Sequence, residues 1–107
     1  MKGIPQRHPN VVWREEPSQR EAILEALERG EAAADRGWVL LVDGGQMHEL
    51  NLLAGEIWCL LDGTRTVEAV SRELAERYDA PFEEIRADVA AFVAECLERG
   101  WLVWKEG

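Results

Sequence analysis

Residues 38–63, WVLLVDGGQMHELNLLAGEIWCLLDG, contain the change of periodicity that decides the fold. The first five residues are bulky and apolar, as in a buried β-strand. Asp43, Gly44 and Gly45 are typical of a tight turn, because glycine reaches positive φ without steric cost. Gln46–Leu50 alternates as a return strand, and from Asn51 onward the apolar spacing changes from two to 3.6 residues. The stretch predicts a β-hairpin followed directly by an α-helix.

Two more helices are predicted after this stretch. Thr66 is a suitable N-cap, and Pro81 pre-sets the first turn of the last helix. Gly100 closes that helix, and residues 101–104 can add a short strand. The apolar positions at helical spacing are Val67, Val70, Leu74 and Tyr78 in one helix, and Ile85, Val89, Phe92 and Cys96 in the other.

Before the hairpin, residues 11–13 predict a first strand and residues 18–30 a short helix. Ser18 and Glu21 match a capping box, and Gly30 is a natural helix end. Residues 31–37 are compatible with a further helical turn or a loop. The order predicts an α+β, winged-helix-like fold: a small antiparallel sheet of about three strands on a three-helix bundle, with an extra helix near the N-terminus. We expect one domain over residues 1–107.

The charge and composition of the chain argue against several classes of function. The 107 residues carry 21 acidic and 12 basic side chains, a net charge of −9. Such a surface repels nucleic acid, whose binding depends on Lys and Arg. No apolar run approaches the ~20 residues that span a bilayer, and no signal peptide is visible, so we expect a cytoplasmic protein. Cys59 and Cys96 are predicted to be reduced, buried thiols.

No catalytic or metal-binding pattern is found in the sequence. The two histidines, His8 and His48, stand far apart, and Ser18 and Ser71 lack a nucleophile-elbow pattern. No Cys/His cluster has metal spacing, and no glycine-rich phosphate loop is present. We therefore expect no enzyme activity, no catalytic residue, no metal and no cofactor.

Residues 48–102 resemble the PqqD family of peptide chaperones, also called RiPP recognition elements. The resemblance rests on residues in the order and spacing of that family. They are Asn51, the pair Ile57 and Trp58, the turn Leu61, Asp62 and Gly63, a threonine at 64 or 66, Leu74, Tyr78, the pair Asp88 and Val89, Leu97 and Gly100. The chain departs from the family by an insertion of about 20 residues around 18–36.

The resemblance implies a non-catalytic adaptor. Such a domain holds the leader segment of a ribosomally made precursor peptide while an enzyme modifies the rest. It implies that the leader adds as a β-strand beside the second hairpin strand and lies against the last helix. It also implies a radical SAM enzyme as the protein partner.

The implied peptide site has one part on the strand and one on the last helix. On the strand, Met47 and Glu49 face one way, and the other three residues face the opposite way. On the helix, small alanines allow close approach of a backbone, although alanine is also simply the best helix former. The candidate peptide-binding residues are Gln46, Met47, His48, Glu49, Leu50, Ala90, Val93, Ala94 and Leu97.

Two other functions fit the same architecture. A winged-helix DNA-binding regulator needs a recognition helix rich in basic or amide side chains. The last helix instead has five acidic residues against Arg86 and Arg99. A purely structural accessory subunit of the enzyme is the second alternative. The sequence also leaves open whether the protein is a monomer or a homodimer.

Overall fold

The structure is a computed structural model that describes residues 3–105. Its helices and small antiparallel sheets make the fold α+β, as predicted. The elements in chain order are β1 (Ile4–Arg7), β2 (Val12–Glu15), α1 (Pro17–Glu28), β3 (Val39–Asp43), β4 (Gln46–Leu50), α2 (Leu52–Leu60), α3 (Val67–Arg77), α4 (Phe82–Glu98) and β5 (Leu102–Lys105).

The chain folds into two compact units. Residues 9–56 form one, which we call the hairpin unit. The described residues before 9 and after 56 form the other, the helical unit. The boundary falls within α2. One domain over residues 1–107 and the winged-helix description both stay predictions.

The hairpin unit contains a three-stranded antiparallel sheet in the order β2-β3-β4. The β3–β4 turn is the predicted one, with Gly44 and Gly45 at φ of 56° and 83°. Both values lie in the left-handed region that a two-residue hairpin turn of this kind requires. The register separates the side chains into two faces. The outer face carries Val12, Arg14, Leu40, Val42, Met47 and Glu49, and the inner face carries Trp13, Val39, Leu41, His48 and Leu50.

Helix α1 confirms the predicted inserted helix but not its capping box. The helix begins at Pro17, one residue earlier than predicted, and Glu16 is the N-cap without a side-chain hydrogen bond. Proline favours the first helical position because its φ is already helical and it has no N–H to satisfy. The expected role of Ser18 as N-cap is therefore wrong. Residues 31–37 contain no further helical turn.

The C-terminal end of α1 follows the prediction at Gly30. This residue has a φ of 80°. Its N–H donates to the carbonyl of Leu27 over 3.0 Å, and the N–H of Glu31 donates to that of Ala26 over 2.9 Å. The pair of bonds is a Schellman motif, which satisfies carbonyls that the helix leaves free.

Trp38 connects the parts of the hairpin unit. Its backbone N–H donates to Leu50 on β4, and its carbonyl accepts from Glu16 at the start of α1. Its indole Nε1–H donates to the carbonyl of Leu52 in α2 over 3.2 Å. A Cβ placed on Gly55 would lie 2.2 Å from the same Nε1. Glycine at 55 is therefore what allows α2 to approach the indole.

A partly buried ion pair joins α1 to α2 beside the same tryptophan. Glu56 is only 3% exposed, and its Oε1 accepts from Arg20 Nε over 2.5 Å. The Arg20 guanidinium also lies over the Trp38 ring, 5.6 Å from its centroid, a cation–π arrangement. Within the hairpin unit, the inserted helix is therefore held in place by this ion pair and by the buried side chains of Ile23 and Ala26.

The helical unit contains a second sheet that the sequence did not reveal. Strand β1, which precedes the first strand predicted from the sequence, pairs antiparallel with β5. Arg7 at the end of β1 donates through Nη1 to the carbonyls of Trp58 and Cys59, over 2.7 and 3.3 Å. A cation there is favoured, because the last carbonyls of α2 have no partner within the helix.

Helix α3 begins as predicted, whereas α4 begins one residue later than predicted, at Phe82, with Pro81 as an extended N-cap. Thr66 caps α3, accepting from the Ala69 N–H over 3.1 Å. The residues of α4 that are buried are Ile85, Val89, Val93 and Cys96. Cys59 and Cys96 are not joined in a disulfide, and Cys96 is buried whereas Cys59 is half-buried.

Replacing Gly55 by alanine tests the contact with Trp38. Although alanine favours a helix, we expect Gly55→Ala to lower the free energy of unfolding by about 1–3 kcal/mol, because the new Cβ overlaps the indole. Urea unfolding of Gly55→Ala, Trp38→Leu and the double variant measures the effect. The cost of Gly55→Ala should disappear on the Trp38→Leu background, and an unchanged cost there would contradict the contact.

The thiol of Cys96 should make stability depend on alkaline pH. Burial, assisted by the charge of Glu95, raises the pKa of Cys96 to about 12. The unfolded chain loses this proton near pH 8.5 and the folded chain does not. Stability is therefore full below that pH and falls as pH rises toward 12, by about 1 kcal/mol per pH unit at most. Urea unfolding of the wild type and Cys96→Ala should give a steeper alkaline loss for the wild type, whereas equal slopes would contradict the burial.

Candidate functional site

Strand β4 forms one edge of the sheet in the hairpin unit. In the strand order β2-β3-β4, it has a neighbour on one side only. The strand contains no proline, so each of its residues keeps a backbone donor and acceptor. An edge of this kind is a template for pairing with another extended chain.

The hairpin geometry decides which backbone groups of β4 point outward. Gln46 closes the two-residue turn with Asp43, so it forms a hydrogen-bonded pair with β3. Such pairs alternate along an antiparallel ladder, so His48 and Leu50 also bond to β3. Met47 and Glu49 therefore direct their N–H and C=O groups to the free edge.

The side chains of β4 follow the predicted alternation. Met47 and Glu49 are exposed on the outer face, while Leu50 is buried and His48 half-buried on the inner face. Glu49 lies close to the chain that precedes Trp38, since a Cβ on Gly37 would be 2.7 Å from the Glu49 Cβ. Only glycine fits at 37 without displacing that carboxylate side chain.

The candidate residues on α4 lie in the helical unit and differ in exposure. Ala94 is exposed, and Ala90 and Leu97 are half-buried. Val93 has no exposed surface, so its side chain is part of the core. This follows from the helical period, because 93 lies on the face of 89 and 96. A peptide groove shared by β4 and α4 stays a prediction.

The residues that carry the family pattern are mostly structural. Asn51 caps α2, accepting at Oδ1 from the Ala54 N–H over 3.0 Å. Asp62 Oδ1 accepts from the Thr64 hydroxyl over 2.5 Å and from the Thr64 N–H over 3.1 Å. These bonds, with the charge of Arg65, outweigh burial and lower the pKa of Asp62. The threonines at 64 and 66 thus have separate roles, one in the turn and one as a helix cap.

The described residues contain no group of three or more His, Cys, Asp or Glu side chains placed to hold a metal ion. None of the helices in this part of the chain is long and apolar enough to cross a membrane.

Two grooves on the outer face of the sheet were not foreseen from the sequence. One, of about 290 Å³, is mostly apolar, and the other, of about 550 Å³, is mostly polar. The side chain of Leu40 lines both. In the sequence, strand alternation could place Val12, Val42 and Met47 on the solvent-facing side of their strands. Their alignment across the sheet depends on strand register.

The chain is similar to known proteins over most of its length. A family model described as Coenzyme PQQ synthesis protein D (PqqD) matches residues 37–102. The chain is 33% identical over 92 residues to a PqqA binding protein of Rhizobium meliloti, covering 86% of this chain and 76% of that protein. It is 41% identical over 64 residues to a PqqA binding protein of Stutzerimonas stutzeri, covering 60% of this chain and 67% of that protein.

A solved structure has the same fold. It is the solution NMR structure of the PqqD truncation of Methylobacterium extorquens PqqCD, described as a functional, stand-alone RiPP recognition element. The match has a TM-score of 0.65 and 20% sequence identity, and covers 94% of this chain and 88% of the other. The inserted segment 18–36 lies outside the residues that the family model matches.

Amide hydrogen exchange tests the free edge of β4 directly. We expect the Met47 and Glu49 amides to exchange at least about tenfold faster, after correction for intrinsic rates, than those of His48 and Leu50, because only the latter pair is hydrogen-bonded to β3. Exchange followed by NMR in the absence of any partner measures this difference. Equal protection of all four amides would show that the outer edge of β4 is already paired.

Proposed function

The chain belongs to the PqqD family, and from this premise we propose that it is a non-catalytic adaptor that binds the leader segment of a ribosomally made precursor peptide. It holds the leader by β-strand addition and presents the precursor to a radical SAM modifying enzyme in the cytoplasm. The observation that carries this proposal is the free edge of β4, with the backbone groups of Met47 and Glu49 directed outward.

The names of the relatives support a peptide ligand. Two of them are PqqA binding proteins, and the solved structure is a recognition element for ribosomally synthesized and modified peptides. Strand addition suits an extended leader, because main-chain hydrogen bonds provide affinity and alternate side chains provide specificity. On the inner face such a strand would lie beside His48 and Leu50, and on the outer face beside Met47 and Glu49.

A role without catalysis is consistent with the side chains present. Cys96 is buried with a raised pKa, so it is a poor nucleophile. Ser71 is buried within α3 and donates its hydroxyl proton to the carbonyl of Val67 over 2.6 Å. The modifying chemistry therefore belongs to the partner, which we propose to be a radical SAM enzyme on the resemblance of residues 48–102 to the family.

The alternatives are less well supported. The exposed surface of α4 carries Glu83, Glu84, Asp88, Glu95 and Glu98, which would repel the phosphates of DNA. A purely structural accessory subunit would not need an unpaired, proline-free strand at the sheet edge. Pairing of two copies stays a prediction.

A titration with leader peptide tests the proposal. The purified protein is titrated with the leader half of a candidate precursor peptide, and amide shifts are followed by NMR. We expect saturable shifts at Gln46–Leu50 and along α4, because an added strand bonds to β4. Absence of shifts at ~100 μM peptide would reject leader binding and favour the accessory-subunit role.

A pair of variants at residue 47 separates strand addition from side-chain contact. Proline there removes an N–H that points to the free edge, so Met47→Pro should fold normally yet bind leader at least about tenfold more weakly. Met47→Ala keeps the N–H and should lose less affinity. Circular dichroism checks the fold of both. Equal affinities of the two variants would contradict main-chain pairing at this position.

A further inference from the structure

Three exposed apolar side chains form a row across the outer face of the hairpin-unit sheet. Val12 on β2 is the register partner of Val42 on β3, and Val42 is the partner of Met47 on β4. They are 68%, 39% and 66% exposed. Among residues 3–105 the other exposed large apolar side chains are Leu27 and Trp104, neither of them on this sheet. Exposed apolar side chains that are grouped, rather than scattered, indicate an interaction surface.

The row lines a groove that continues into a polar one. The apolar groove, of about 290 Å³, is lined by Val12, Trp13, Arg14, Leu40, Val42 and Met47. Beyond Leu40, the polar groove of about 550 Å³ has the carboxylates of Glu16, Asp35 and Glu49 and the guanidinium of Arg36 in its lining. One wall of it is residues 35–37, at the end of the inserted segment and the residue after it.

The charge of the hairpin unit favours a basic occupant. Residues 9–56 contain ten carboxylates and four arginines, so this unit carries most of the net charge of −9. Three of the arginines are in ion pairs, which are Arg14 with Glu16, Arg20 with Glu56 and Arg29 with Glu31. A surplus of carboxylates remains to attract a basic partner.

The same charge argues against two other occupants. A second copy of the chain would bring two strongly acidic units face to face, and like charges at an interface cost several kcal/mol. An anionic membrane surface would repel this unit for the same reason.

We propose that the outer face of the β2-β3-β4 sheet is a docking surface for a basic, amphipathic helix of a second protein. The apolar side of the helix packs on the row of Val12, Val42 and Met47, since helices commonly cover one face of a sheet. Its basic side chains reach the carboxylates at Asp35 and Glu49. This inference goes beyond leader binding, for which the backbone groups along the edge of β4 are proposed.

A designed peptide serves as the probe. It has about 18 residues, with leucine at positions i, i+3, i+4 and i+7 and lysine elsewhere, so that it forms an amphipathic basic helix. A twin peptide has glutamate in place of lysine. We expect the lysine peptide to shift the amides of Val12, Leu40 and Val42 saturably in NMR titrations, and the glutamate peptide to shift none of them. Shifts centred on the acidic surface of α4 would overturn the proposal.

Two variants with the same change of charge separate docking from general attraction. Val42→Lys places a cation within the row, and Leu27→Lys places one on α1, at a side chain 36% exposed. Both positions are exposed, so folding should be retained. Val42→Lys should weaken the lysine peptide at least about tenfold and Leu27→Lys at most about twofold. Equal weakening would leave only non-specific attraction and reject the docking surface.

Two further measurements complete the test. Sedimentation of the protein alone should give a monomer whose mass does not change with concentration, whereas association abolished by Val42→Lys would assign the face to a second copy and overturn the proposal. Met47→Pro and Met47→Ala should bind the lysine peptide with equal affinity, because both remove the same side chain from the row, whereas only the proline also removes an N–H from the edge that leader binding uses. Loss of leader binding and loss of docking are thus separable.

Discussion

The hairpin unit depends on the position of one indole ring. Trp38 stands where the inserted segment enters the sheet, and its backbone bonds to β4 and to the start of α1. Its indole N–H donates to the carbonyl of Leu52, and the guanidinium of Arg20 lies over its ring. Gly55 has no side chain and so leaves room for the ring. Because a buried indole N–H needs an acceptor, the ring orientation and the approach of α2 are set together. The strand that follows Trp38 therefore starts from a defined point.

This arrangement divides the small sheet into surfaces with different uses. The inner face contributes Val39, Leu41 and Leu50 to the core. The edge of β4 presents backbone groups, which suit an extended peptide of variable sequence. The outer face presents apolar side chains beside carboxylates, which suit a folded partner. In the proposed function the domain holds a peptide and meets an enzyme, and a three-stranded sheet offers an edge for the one and a face for the other.

The family pattern and the proposed site share only Leu97 among the residues named for each. Asn51, Thr66 and Gly100 begin or end helices, and Leu61, Leu74 and Val89 are buried. These positions identify the fold reliably, because caps and core spacing are what the fold requires. The edge of β4 acts mainly through its backbone, which any residue except proline supplies. A family can therefore be recognised from its sequence while the ligand specificity of each member is not.

Local chemistry in the sequence was sufficient for several elements. The hairpin and four helices were predictable, because their signals each act over a few residues. These signals are the glycines at 44 and 45, the change of period at Asn51, and the caps at Thr66 and Gly30. The start of α1 was predicted one residue late, at Ser18, because two plausible local signals, a capping box and an N-terminal proline, competed there. Residues 31–37 have no decisive local signal, so the sequence was compatible with either a further helical turn or a loop there.

Long-range pairing decided the rest. Strand β1 has weak local signals and exists because it pairs with β5, almost 100 residues later in the chain. Val93 and Leu97 are both apolar residues of the last helix, and the sequence does not distinguish them. The packing of α4 shows that Val93 is fully buried. The alignment of Val12, Val42 and Met47 depends on the registers of two strand pairs, which a linear sequence does not display. The sequence by itself determined the class of fold and the family, because both rest on local spacing. The tertiary structure decided which residues share a surface, because register and packing join distant parts of the chain.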